Sequence, residues 1–309
     1  MNTTIKEPTL SSQEADLTPL ETNQKPVPET EDWTQVISPK SSLFDLHLKE
    51  VWAYRDLMIM FVRRDFVASF KQTVLGPLWH IIQPIFTTLI FLLVFGKIAN
   101  ISTNGIHPIL FYMSGITIWN YFAACLNSTS NTFLANAGIF GKVYFPRLIL
   151  PLSVVLSNII RFGIQFLLLL AMMIYYHFDG YPINLNAGWL LIPVLIIIMA
   201  GLGLGMGIIV SSLTTKYRDF SILIGFGVQL LMYATPVAYP LSFLKGKSYA
   251  WIIECNPLTG VVEAFKWALF QQGGFDFTYL WYSAGFMSVV LFIGLVMFSK
   301  VERSFMDTV

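Results

Sequence analysis

Residues 189–213 read WLLIPVLIIIMAGLGLGMGIIVSSL. The run holds no charged residue and exceeds the ~20 residues a helix needs to cross the hydrocarbon of a bilayer. Its four glycines, Gly201, Gly203, Gly205 and Gly207, resemble a dinucleotide-binding loop only superficially. That fingerprint follows a strand and opens a helix outside lipid. Here the glycines lie inside an apolar run as two i, i+4 pairs, Gly201 with Gly205 and Gly203 with Gly207. Such spacing lets helix backbones approach closely in a membrane. The stretch predicts a transmembrane helix packed tightly on its neighbours.

Five more apolar segments flank it, at about 78–98 (with Pro84 near its start), 109–132, 148–176, 219–236 and 278–299. Pro236 and Pro240 close the segment at 219–236. The fold class expected is an all-α integral membrane protein with about six transmembrane helices. Between the last two spans, residues 237–275 are broken by Pro240, Pro257 and Gly273-Gly274. The apolar run Leu258 to Phe270 is too short to cross, and reads as re-entrant or interfacial helix. Composition agrees. The 309 residues are 55% hydrophobic and 12% charged, against roughly 25% charged in soluble domains, and the mean hydropathy is +0.63. One soluble core cannot hide that much apolar surface.

Residues 1–42 are acidic, rich in Ser and Thr, and punctuated by Pro19, Pro26, Pro28 and Pro39. They cannot bury enough surface to offset their ordering entropy, so a disordered tail is expected, with local docking at most over Trp33 to Ser38. No basic start followed by an apolar run precedes the first span, which is expected to serve as both targeting signal and first anchor. In residues 43–77, Leu48, Val51, Trp52, Ile59, Val62, Phe66 and Phe70 recur at helical spacing among Lys49, Arg55, Arg63, Arg64 and Lys71. That pattern predicts an amphipathic helix lying in the membrane interface, ahead of a transmembrane domain at 78–309.

Lys and Arg orient the spans. With the N-terminus inside, fourteen of the 19 fall on the cytoplasmic side, among them Lys142, Arg147, Lys216, Arg218, Lys300 and Arg303. Four fall outside: Lys97, Lys245, Lys247 and Lys266. Both termini are then cytoplasmic. The net charge of +1 offers no basic field for nucleic acid. The two cysteines, Cys125 in a span and Cys255 in a loop, form no CxxC pair and read as structural thiols. The chain contains no GxxxxGK[ST], HExxH or GxSxG, and no paired carboxylates within a span. A cofactor, a metal or an enzymatic activity of its own is therefore not expected, and energy is expected from a partner. Arg161 is the one charge deep in a span, where it meets an anion, pairs with another subunit, or snorkels to the interface. The cytoplasmic loops FLANAGIFGKVYFPR (133–147) and SLTTKYRDF (212–220) combine aromatics with basics. They read as positive-inside anchors or as short helices whose knobs, Ile139, Phe140 and Tyr144, plug into a partner's groove.

Six stretches in order carry a family resemblance: EVWAYRDLMIMFVRRDFVASFKQTVLGPLWHIIQP (50–84), KVYFPRLILPL (142–152), KYRDF (216–220), ATPVAYP (234–240), NPLTGVVEAFKWALF (256–270) and VERSFMDTV (301–309). Over residues 43–309 the chain resembles the ABC-2 type permeases of O-antigen, capsule and teichoic-acid exporters. The resemblance implies two copies of this subunit forming a channel in the inner membrane. Two copies of a separate ABC ATPase would bind Mg-ATP, and the substrate would be a glycan on a polyprenyl diphosphate. It also implies coupling to the ATPase through Ile139, Phe140, Lys142, Tyr144 and Arg147, with a second contact at Lys216, Arg218 and Asp219.

The residues suit that substrate. Arg55, Arg63, Arg64 and Lys71 supply cations for a diphosphate at the inner face. Tyr112, Trp119, Tyr121, Phe122 and Tyr233 offer stacking faces for sugars, beside Arg161 and the amides of Asn120, Asn127, Asn131 and Gln229. The alternatives are an ABC-2 exporter of drugs or small lipids, a polyprenyl-phosphate-dependent glycosyltransferase using Asp45, Glu50, Asp56 or Asp65, and a structural anchor.

Overall fold

The computed structural model describes residues 48–71, 73–140, 145–182, 186–214, 217, 219–244, 246–273 and 275–306. The expected tail at 1–42, together with Lys142, Tyr144, Lys216 and Arg218, lies outside the described residues. Among the described residues every regular element is helical. In chain order these are α1 (Leu48–Ala53), α2 (Arg55–Phe70), α3 (Trp79–Phe91), α4 (Pro108–Ser130), α5 (Thr132–Phe140), α6 (Ile149–Phe178), α7 (Ile192–Thr214), α8 (Phe220–Tyr233), α9 (Ala250–Glu254), α10 (Pro257–Phe270) and α11 (Phe277–Met306). A 3₁₀ turn leads into α3, and its last turns widen into π-helix over Leu92–Ile98.

Among the described residues five helical stretches are long and apolar enough to cross a membrane: Gly76–Ile98, Pro108–Ser130, Ile149–Phe178, Ala187–Thr214 and Phe277–Lys300. They do not share burial equally. The apolar window of α4 is 78% buried inside the protomer, while that of Gly76–Ile98 is only 17% buried. α4 is thus the central pillar, and α3 turns Phe86, Leu89, Ile90 and Leu93 outward, as a lipid-facing helix does.

The glycine run of α7 explains the tight centre. A Cβ on Gly203 would stand 2.7 Å from Cβ of Cys125, and one on Gly207 2.6 Å from Cβ of Thr129, both on α4. A Cβ on Gly205 would stand 3.0 Å from the backbone N of Leu291, and one on Gly201 2.4 Å from Sδ of Met287, both on α11. Alternate glycines therefore seat α7 against two different helices, one pair to each.

The segment expected to span at 219–236 forms a helix of 14 residues, about 21 Å at ~1.5 Å per residue, short of the ~30 Å hydrocarbon. It nevertheless links both ends of the bundle. At its start Ser221 Oγ donates to Asn131 Oδ1 at 2.9 Å, where α4 ends. Just past its end Lys266 Nζ donates to the Pro236 carbonyl at 2.6 Å. α10 fills the bundle at that end, with Leu258, Val261, Val262, Phe265 and Leu269 buried, so α8 has less thickness to cover. α2, α5 and the C-terminal part of α11 gather at the opposite end, where the rings of Phe133 and Phe298 stack at 5.0 Å.

The first two helices divide their apolar residues between two faces. Val51 and Phe61 are buried, whereas Trp52, Ile59, Met60 and Val67 are exposed. The single stripe expected from the spacing is therefore split. One side packs on the bundle, Phe61 against Phe145 at 5.8 Å, and the other is left for lipid.

Candidate functional site

The site begins on one face of α6. Asn158, Arg161 and Gln165 recur at i, i+3 and i+7, which stacks three polar groups along one side of a helix otherwise built of Leu, Ile and Phe. Arg161 lies 12 residues past Ile149, about 18 Å along the axis, too deep to be a boundary residue. It is held rather than snorkelling. Its guanidinium donates to Asn158 Oδ1 at 3.0 Å and to the Ser69 hydroxyl of α2. Its Nε has no partner.

α2 closes the other side. Arg64 Nη2 meets the Asp65 carboxylate at 2.8 Å and donates to Asn136 Oδ1 of α5 at 3.2 Å, while its guanidinium lies 4.6 Å from the Phe61 ring. Between α2, the α4–α5 junction and α6 is a cavity of about 530 Å³, lined by Arg64, Asp65, Ser69, Asn136, Asn158 and Arg161, with Ile139 at its edge. Two guanidiniums and one carboxylate leave an excess positive charge there. A smaller cavity of about 230 Å³ adjoins it between α3, α4 and α6. His80, Gln83, Asn120, Tyr121, Asn158 and Gln165 contribute to its wall, and Arg161 lines both spaces. Asn120 Nδ2 donates to Gln165 Oε1 across it at 3.2 Å.

The structure thus unites Arg64, Arg161 and Ile139, which the sequence had assigned to three separate tasks. Of these only Arg161 also lines the smaller cavity, where Tyr121 joins it. Arg55, Arg63 and Lys71 do not join; they are exposed on α2 or just after it, Arg55 being 4.0 Å from Asp56. The expected sugar-stacking faces of Tyr112, Trp119 and Phe122 need correction. Each is at most 3% exposed, as is Tyr121 at 2%, and the rings pack as core in this protomer, Tyr112 edge-on to Phe91 and Trp119 against Phe122 of the same helix. α4 is the central pillar, and most of its sides are used for packing. Tyr233 is exposed, and its carbonyl accepts from the Tyr239 hydroxyl at 2.9 Å.

At the expected ATPase contacts, α5 is a nine-residue helix continuing from α4 after a break at Asn131, with Ile139 half-buried on its last turn. Arg147 is buried. Asp219 is exposed at the start of α8, beside an apolar surface formed by Phe220, Ile222, Leu223 and Phe226. Sequence reasoning passed over His80, Ser69, Asn136, Asn158 and Gln165. The i, i+3, i+7 spacing on α6 was the readable signal; Ser69 and Asn136 had none. Among the described residues no group of three or more His, Cys, Asp or Glu could hold a metal ion.

The sequence profile described as ABC-2 type transporter matches residues 57–270, from α2 through α10. The chain belongs to the ABC-2 type transporter family. It is 29% identical over 255 residues to the O-antigen export system permease protein RfbA of Klebsiella pneumoniae, covering 82% of this chain and 94% of that one. It is 24% identical over 265 residues to the RfbA of Myxococcus xanthus, covering 85% and 98%. To the polysialic acid transport protein KpsM of Escherichia coli it is 26% identical over 253 residues, covering 79% and 93%. This ABC-2 chain is therefore a multi-pass membrane component of a transporter. It is not itself an enzyme, and ATP hydrolysis belongs to a separate subunit.

Proposed function

We propose that this permease carries a polyprenyl-diphosphate-linked glycan across the cytoplasmic membrane, and that the larger cavity receives the diphosphate. The observation that carries this reading is the pair Arg64 and Arg161, two cations from different helices opening on one cavity with a single carboxylate between them. A guanidinium is the side chain best shaped for phosphate oxygens, and a membrane-embedded one defaults to a functional role. Arg55, Arg63 and Lys71 at the exposed face of α2 attract the anionic headgroup before it docks. A chain with polar groups on one side cannot face lipid there, so two copies enclose the path between them. α5 and the start of α8 receive the push of two ATPase subunits, which bind Mg-ATP. The gathering of α2, which carries Arg55, Arg63 and Arg64, with α5 and the end of α11 at one end of the bundle supports termini on the cytoplasmic side. α8 with the turn after it is then the sixth crossing, and α10 is re-entrant from the far side.

The test is a deletion strain in which lipid-linked glycan is extracted separately from the cytoplasmic face and the cell surface. Polymer that accumulates inside and disappears outside supports export by this channel. Unchanged pools at both faces sink the lipid-linked glycan as substrate and leave a small lipid or drug. Absence of any polymer points to a defect in synthesis instead.

A further inference from the structure

The smaller cavity differs in chemistry from its neighbour. Apart from Arg161 its polar wall is neutral: the carboxamides of Gln83, Asn120, Asn127, Asn158 and Gln165, with His80 and Tyr121. Several of these groups are buried and poorly satisfied. His80 Nε2 and Arg161 Nε have no partner, and the Tyr121 hydroxyl and Asn158 Nδ2 have none of oxygen or nitrogen, lying only against the Cys125 sulfur, a weak acceptor. A buried polar group left without a partner is costly, and lipid supplies none. These four lie behind the wall; what the cavity itself presents is the remaining polar surface of that wall, its carboxamides included, which suits an occupant that hydrogen-bonds in several directions. The edge of the wall is aromatic: the Phe162 ring lies 5.3 Å from that of Tyr121.

We propose that this cavity is a sugar subsite, holding the first sugar of the lipid-linked glycan while its diphosphate lies in the larger cavity across Arg161. A sugar hydroxyl both donates and accepts, as a carboxamide does, so a wall of carboxamides matches a ring of hydroxyls without imposing charge. The volume of about 230 Å³ is below the ~300–1,000 Å³ typical of larger ligands, which suits one ring and not a chain. Arg161 lining both spaces places the two ligand parts side by side, as they are bonded in the substrate. The subsite rests on the diphosphate reading above and adds selection by the sugar nearest the lipid.

The test uses the full permease–ATPase complex in lipid nanodiscs and two kinds of probe. One is a polyprenyl diphosphate; the other is the same lipid bearing a single glucose, galactose, N-acetylglucosamine or N-acetylgalactosamine. With one to two hydrogen bonds gained by the sugar, wild type should prefer at least one glycosylated probe roughly tenfold. The double variant Asn120→Leu/Gln165→Leu should bring that ratio near unity without weakening the bare diphosphate. Gln83→Ala, which keeps the Asn120–Gln165 bond and is the check if the double variant misfolds, should reduce the ratio in part. Arg161→Gln should weaken both kinds of probe. If wild type binds the bare probe but prefers no glycosylated one, or if both amide variants keep the preference, the subsite is wrong and the amides only pack helices. If neither kind of probe binds, the diphosphate reading falls and the subsite with it.

Discussion

Two of the cations inside this bundle, Lys266 and Arg161, have opposite surroundings. Lys266 on α10 is 2% exposed and saturated: it donates to the Pro236 carbonyl at 2.6 Å, stands 3.6 Å from the Glu263 carboxylate and lies 3.8 Å over the Phe111 ring. Glu263 in turn accepts from the backbone N–H of Leu241. The pair therefore grips both ends of the turn from Pro236 to Leu241. Arg161 on α6 keeps one nitrogen unpaired and borders two cavities. Lys266 is bonded to a carbonyl and paired by charge with a carboxylate whose Oε1 accepts no hydrogen bond, and such a buried pair without a cavity beside it is a clamp. A buried charge with open valences beside a cavity is available to a ligand.

The largest effect that can break this contrast is Lys266→Met. It leaves Glu263 as an uncompensated buried charge and should cost about 3–5 kcal/mol, read as loss of the thermal transition in detergent. Lys266→Met/Glu263→Leu should recover much of it, because matched apolar replacement of a buried pair is often near neutral. If Lys266→Met unfolds like wild type, the clamp is wrong. Next is Gly205→Leu, whose side chain collides with the backbone of α11 and should destabilise by about 1–3 kcal/mol. Gly225→Ala on α8 meets nothing within 4 Å and should be neutral or slightly stabilising in the same melt.

Arg161→Gln should reverse the pattern of Lys266→Met. Its unfolding should change less, while export of glycan to the surface falls on the order of tenfold or more, the loss of one charge-assisted hydrogen bond to a ligand. A variant that exports normally would remove Arg161 from the site. The smallest effect is at Arg63, exposed on α2. Arg63→Gln should melt within about 0.5 kcal/mol of wild type and reduce export less than Arg64→Gln, whose side chain bridges α2 to Asn136.

Much of the fold was legible before the structure. The spans at 78–98, 109–132, 148–176, 189–213 and 278–299 coincide with the five long apolar helices, since hydrophobicity summed along a run is a local property. The length of α8 was less legible: apolarity continues to Val237, but Pro236 and the grip of Lys266 turn the chain earlier. Lys266 itself, counted among the outer-side basics, has instead become part of the core. The burial of the aromatics of α4 was not legible for a related reason. Composition reveals that rings are present, but whether a ring faces a path or a neighbour depends on which helix lies opposite.

The sequence by itself determined that this chain lives in a bilayer, that its helices cross at close quarters around the glycines of α7, and that it resembles an export permease. These depend on residue type and spacing along one helix. Only the tertiary structure decided that Gly203 and Gly207 meet α4 while Gly201 and Gly205 meet α11, that Lys266 is satisfied, and that Arg64 and Arg161 share a cavity. Those outcomes depend on the rotation and register of one helix against another. A difference of a fraction of a turn exchanges a buried partner for open space, and no pattern within a single segment carries that information.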